Sequence, residues 1–127
     1  MAARWFAIGA WLGAVGVALG AFGAHAMQDH YDLRALQTFE TAVRYQMYHA
    51  LALGLCAALG LHGRRTGKAA ICFLLGIGLF CGSLYGIVFL EARWLGAVTP
   101  VGGLAFLAGW LLLALPGPPA SAAATAR

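Results

Sequence analysis

Charge is what this chain has least of. Eight basic and four acidic side chains make up 9% of its 127 residues, against 62% that are hydrophobic. That balance excludes a soluble domain of this size and indicates a membrane protein. Cysteine is scarce as well: Cys56, Cys72 and Cys81 fall inside apolar segments, without CxxC spacing and without a histidine at a zinc-site interval. They read as small core thiols, not as a disulfide framework or metal ligands. Also missing are a glycine-rich phosphate loop, a nucleophile elbow, an HExxH motif and paired carboxylates in a plausible cleft, so the expectation is no enzyme and no cofactor. The formal charge of +4 does not make a nucleic-acid binder, because most basic residues sit in short connectors where membrane topology accounts for them.

What is present is a series of four apolar stretches, at 5–27, 45–61, 69–90 and 101–115. The last is short and needs Leu95 to Val98, or a thinned bilayer, to cross about 30 Å. The pattern predicts an all-α polytopic membrane protein: four transmembrane helices in one bundle within residues 1–115, a domain that leaves no room for a second. Residues 116–127, rich in proline and alanine, are expected to be disordered. Ala24-His25-Ala26 resembles a signal-peptidase site. The apolar run before it is longer than a signal peptide needs, and Gly9, Gly13, Gly16, Gly20 and Gly23 form a stripe suited to helix packing in lipid, so the span is expected to be retained.

Between the first two spans, Leu36, Phe39, Val43 and Met47 recur at helical spacing with Arg34, Gln37, Glu40, Thr41 and Arg44 on other faces, which predicts an amphipathic helical extension. No glycine or proline interrupts residues 31–53. The extension should therefore run into the second span as a single helix of about 30 residues. Thr99-Pro100 marks an N-cap and first turn for the fourth helix. One side of the bundle would hold Arg4, Arg64, Arg65, Lys68 and Arg127, and the other Arg34, Arg44 and Arg93. Five basic residues against three place both termini in the cytoplasm.

The candidate site is a polar cluster towards the outer leaflet, made of His25, Glu40, Arg44, Tyr45, Gln46, Tyr48, His49 and Glu91. Counting back roughly 20 residues from Leu61 puts the outer boundary near Ala42 and His49 about 10 Å inside it. Polar side chains at that depth are costly and call for partners. Arg44 can pair with Glu40 on its own helix, or with Glu91 across helices, where a desolvated pair would fix register. His25 and His49 on neighbouring antiparallel helices leave open an alternative, a haem- or metal-binding redox protein. A small transporter or channel is a third reading, lowered by the lack of ionisable groups in the inner halves of the spans. Gly78, Gly82 and Gly86 form a second small-residue ridge, for close helix contact, a second copy or another membrane protein. Trp5, Trp94 and Tyr85 fit interfacial or near-interfacial positions.

Three motifs, Gly20-Ala-Phe-Gly-Ala-His-Ala26, Phe39-x-Thr-Ala-Val-x-Tyr-Gln-x-Tyr-His-Ala-Leu-Ala52 and Thr99-Pro-Val-Gly-Gly-Leu-Ala-Phe-Leu-Ala-Gly-Trp110, occur in the order seen in a domain-of-unknown-function family. The chain, up to about Leu115, closely resembles this family of small membrane proteins typified by bacterial YgdD and YwdK. The resemblance implies an inner-membrane protein of about four spans with no established activity. Its signature singles out His25, Tyr45, Gln46 and His49. The expected role is a non-enzymatic structural or accessory component whose polar cluster organises the bundle or docks a partner or lipid.

Overall fold

A computed structural model describes residues 1–116, and these are helical throughout apart from short connectors. The order is α1 (Ala2–His25), α2 (Leu33–Leu61), α3 (Gly67–Leu90), a 3₁₀ turn (Arg93–Ala97) and α4 (Thr99–Ala114). The tail expected to be disordered lies outside the described residues, except for Pro116.

Local chemistry sets the boundaries. Asp32 caps α2, its side chain accepting from Ala35 N–H at 2.7 Å, as a short acceptor at an N-cap does. At the far end Arg64 N bonds to the Leu59 carbonyl and Gly63 N to that of Gly60. This paired closure needs a left-handed residue, and Gly63 supplies it with φ 82. Between these ends α2 runs unbroken for 29 residues, as the lack of a breaker predicts. Thr99 does not cap α4: the helix already includes it, with Val98 before it. Its hydroxyl turns back to the Leu95 carbonyl, and Pro100 occupies the first turn, where its missing N–H costs nothing.

α1 and α2 form one antiparallel pair and α3 and α4 another, and glycine sets both registers. Along α1, a β-carbon at Gly9 would stand 2.8 Å from the Ala50 carbonyl, while Gly16, Gly20 and Gly23 face Met47, Val43 and Phe39 in turn. Gly13 alone of the predicted stripe faces open space. In the second pair Gly109 receives the ring of Phe73, Gly76 that of Phe106, and Gly102 lies against the backbone of Phe80. The expected ridge on α3 is not the packing surface: Gly78 and Gly82 meet nothing within 4 Å, and Gly86 meets only the Leu95 side chain. The buried face of α3 runs through Phe73, Gly76, Ile77 and Cys81, which turns Gly78 and Gly82 outward; a π turn spans Ile77–Cys81.

The core lies between α2, α3 and α4, around Leu53, Cys56, Phe73, Ile77, Cys81 and Phe106, with Trp5 and Leu12 of α1 against it. A second cluster at the other end joins Met27, Phe39 and Val88. Outside these, Phe6, Trp11, Leu51, Leu75, Leu104 and Leu111 are exposed around the circumference. So much exposed apolar surface is unfavourable in water and natural in lipid. Three helices, Ala2–His25, Gly67–Leu90 and Arg93–Ala114, are long and apolar enough to cross a membrane. The third includes the 3₁₀ turn, which supplies the length that 101–115 lacks. α2 is long enough, but Arg34, Glu40, Arg44, Gln46 and His49 keep it out of that group.

Candidate functional site

The expected cluster divides into three parts. Gln46, 3% exposed, lies where α2 meets α1 and α3. Its Nε2 donates to the Leu12 carbonyl at 2.8 Å, and its Oε1 accepts from the Tyr85 hydroxyl at 2.8 Å. One amide thus joins three helices. Tyr85, on α3, turns towards the bundle, and its ring also meets Phe39 at 5.5 Å.

One turn further along, His49 is buried against α3 and α4. Trp110 Nε1 donates to its Nε2 at 3.2 Å, and its Nδ1 lies 2.7 Å from the Tyr45 carbonyl. Because Nε2 accepts, the proton of the neutral ring belongs on Nδ1, where it reaches the carbonyl. The ring stacks on Phe106 with centroids 3.5 Å apart and planes 8° from parallel. Tyr45 covers the same aromatic group, 4.7 Å from Phe80 and 6.2 Å from Phe106. A second small junction, between Ser83 and Thr99 at 2.6 Å, binds α3 to the start of α4.

The remaining members lie outside this interior. Glu40 and Arg44 pair at 2.9 Å along one helix, with side chains 68% and 51% exposed. The cross-helix pair of Arg44 with Glu91 is not formed. An exposed i, i+4 pair contributes only a few tenths of a kcal/mol and sets no register. Tyr48 is exposed. Glu91 ends α3 in the left-handed region, and His25 ends α1, exposed. The α1–α2 register places His25 beside the first turns of α2, so His49 lies roughly 15–20 Å away along the helix axis. The two histidines do not meet, and both nitrogens of His49 are engaged within the bundle. Among the described residues no group of three or more His, Cys, Asp or Glu is arranged to hold a metal ion.

Sequence reading missed several partners. Trp110 and Ser83 are not marked by composition. A tyrosine hydroxyl inside an apolar span needs a partner, and that signal could have moved Tyr85 inward. Thr66, buried where α3 begins, donates to the Cys56 carbonyl at 2.7 Å. Arg64, counted only as a topology signal, donates from Nη2 to the Leu113 and Leu115 carbonyls, each at 3.0 Å. It thereby satisfies two carbonyls at the end of α4, where Leu115 N bonds back to the Leu111 carbonyl.

Apolar outer faces, helices of membrane-crossing length and the hydrogen-bonded Gln46 and His49 inside the bundle define a helical membrane protein; among the described residues the buried Trp5 Nε1 has no partner. Within that class the chain belongs to the family described as "Protein of unknown function (DUF423)", whose model matches residues 19–103. It is 41% identical to the UPF0382 membrane protein YwdK of Bacillus subtilis strain 168 over 100 residues, covering 76% of this chain and 81% of that one. It is also 41% identical to the UPF0382 inner membrane protein YgdD of Escherichia coli K12 over 106 residues, with 80% and 79% covered. A UPF0382 membrane protein of Staphylococcus haemolyticus is 40% identical over 107 residues, 84% of this chain and 88% of its own. No solved structure matches.

Proposed function

We propose that the chain is a non-enzymatic structural or accessory component of the bacterial inner membrane, with all four helices crossing and both termini in the cytoplasm. In this reading Gln46 and His49, with Tyr45, hold the bundle together, while Glu40, Arg44, Tyr48, His25 and Glu91 form the outer surface offered to a partner or lipid. The observation that carries it is the Gln46–Tyr85–Leu12 junction: a side chain that makes the second helix costly in lipid is satisfied by the two helices beside it. The exposed apolar face of α2, with Leu51 and Leu55, supports its crossing. The engaged nitrogens of His49 favour a structural role over haem or metal ligation. A small membrane protein with little mass outside the bilayer suits an accessory place in a larger assembly, and the small-residue face at Gly78 and Gly82, free of contacts within the chain, is suited to a second copy or another helix.

Affinity purification in mild detergents followed by mass spectrometry tests the accessory role. The expected result is one membrane protein recovered reproducibly and lost when Gly78 and Gly82 are both replaced by leucine. Recovery of the chain alone in every detergent would overturn it.

A further inference from the structure

Where the α1–α2 connector, the first turns of α2, the end of α3 and the 3₁₀ turn meet, the fold leaves an open cleft of about 790 Å³. Ala35, Ile87 and Val88 supply its apolar lining, beside the polar side chains of His30, Tyr31 and Thr38. Arg34, Arg93 and Glu91 line it too, and none of the three is in an ion pair among the described residues, where only Arg44 and Glu40 pair. Asp32 also faces the cleft, but one of its oxygens is already used to cap α2.

Glu91 occupies the cleft at a cost. It is the only non-glycine residue with positive φ among the described residues, at 51°, in a position where helices usually end on glycine. A glutamate held there puts a carboxylate in the same cleft as two guanidinium groups without an ion pair to either. With Asp32 counted, the cleft holds two guanidinium groups and two carboxylates whose formal charges cancel, which matches a zwitterion better than a simple anion or cation. Its level matters as well: with the outer boundary near Ala42, Arg34 to Thr38 lie about 6–12 Å beyond it at 1.5 Å per residue, within reach of the headgroup layer.

We propose that this cleft binds the phosphoethanolamine headgroup of a zwitterionic phospholipid, with the phosphate on Arg34 and Arg93 and the ammonium on Glu91. Guanidinium groups bind phosphate oxygens through directed, charge-assisted hydrogen bonds. A primary ammonium offers three N–H donors to the carboxylate; a choline headgroup offers none. Ala35, Ile87 and Val88 meet the first methylene groups of the lipid, which a soluble phosphoethanolamine lacks. The proposal deepens the lipid-docking reading above and rests on the helices crossing the bilayer.

Native mass spectrometry of the full chain in micelles doped with equal amounts of phosphatidylethanolamine, phosphatidylcholine and phosphatidylglycerol tests it. The expected result is a single retained phosphatidylethanolamine, favoured at least fivefold over the other two. Arg34→Gln and Arg93→Gln should each reduce that adduct at least fivefold, and Glu91→Gln should abolish the preference over phosphatidylcholine. Glu91→Gly guards against misfolding: glycine suits the left-handed backbone, so this variant should melt no lower than the parent and still lose the preference. Equal retention of the three lipids, or an unchanged preference in Glu91→Gly, would overturn the proposal. Displacement of the lipid by an equal concentration of glycerophosphoethanolamine would overturn the lipid as ligand in favour of a soluble one. Cysteine labelling separates failure of the four-span reading from failure here, since it reports crossing without reporting headgroup choice.

Discussion

Removing Gln46 should expose how the bundle handles polarity in lipid. In Gln46→Leu the volume is nearly kept, but the Tyr85 hydroxyl loses its acceptor and the Leu12 carbonyl its second donor. A buried hydroxyl left without a partner costs about 1–3 kcal/mol. Hydrogen bonds between membrane helices average only about 0.6 kcal/mol by double-mutant cycle, because the unfolded chain in a membrane finds other partners. The expected cost of Gln46→Leu is therefore about 1–2 kcal/mol, and that of Tyr85→Phe about 0.5–1 kcal/mol. The double variant should cost no more than Gln46→Leu alone, because the orphaned hydroxyl has gone, giving a coupling of about 0.5–1 kcal/mol. Reversible unfolding in mixed micelles, followed by circular dichroism, measures all four corners of the cycle. Strict additivity, within about 0.3 kcal/mol, would refute the bond as an element of stability.

Gly102→Ala should destabilise by about 1–3 kcal/mol, since its β-carbon would meet the backbone of Phe80, which cannot rotate away; Gly82→Ala, with nothing nearby, should leave the melting temperature within a degree or two, and equal effects at both sites would contradict the α3–α4 register. Arg64→Met removes the donor to the Leu113 and Leu115 carbonyls and should cost about 1 kcal/mol, with faster amide exchange confined to the last turn of α4; Arg64→Lys, lacking the fork, should fall between. In a chain with all three cysteines changed to alanine, Asp29→Cys should react with an impermeant maleimide from outside intact cells and Arg65→Cys only after the inner face is opened; the reverse pattern would invert the orientation.

The architecture was most legible where a single physical rule acts along a helix. The continuity of α2 followed from its lack of breakers, and the α1 stripe from its glycine spacing, Gly13 excepted. The α3 face was misread because small-residue spacing in a uniformly apolar span does not say which side meets the bundle, so Gly76, Gly102 and Gly109 were passed over for Gly78 and Gly82. The site was legible in its residues and not in its grouping. Gln46 and His49 stand three residues apart, close enough to suggest one cluster. At 100° per residue they point some 60° apart, one towards α1 and Tyr85, the other towards Phe106 and Trp110. Which of two carboxylates Arg44 would choose depended on where the chain places Glu91, a distance no local pattern encodes.

The central claim is that α2, despite its polar first half, crosses the membrane as part of the bundle with Gln46 and His49 turned inward. The most direct measurement places single cysteines at Leu51, Leu55 and Ala58, on the outward face of α2, in the cysteine-free background. A crossing helix predicts that all three resist an impermeant maleimide in intact cells and in inverted vesicles and react only after detergent is added. Labelling of any of them from either aqueous side without detergent would contradict it.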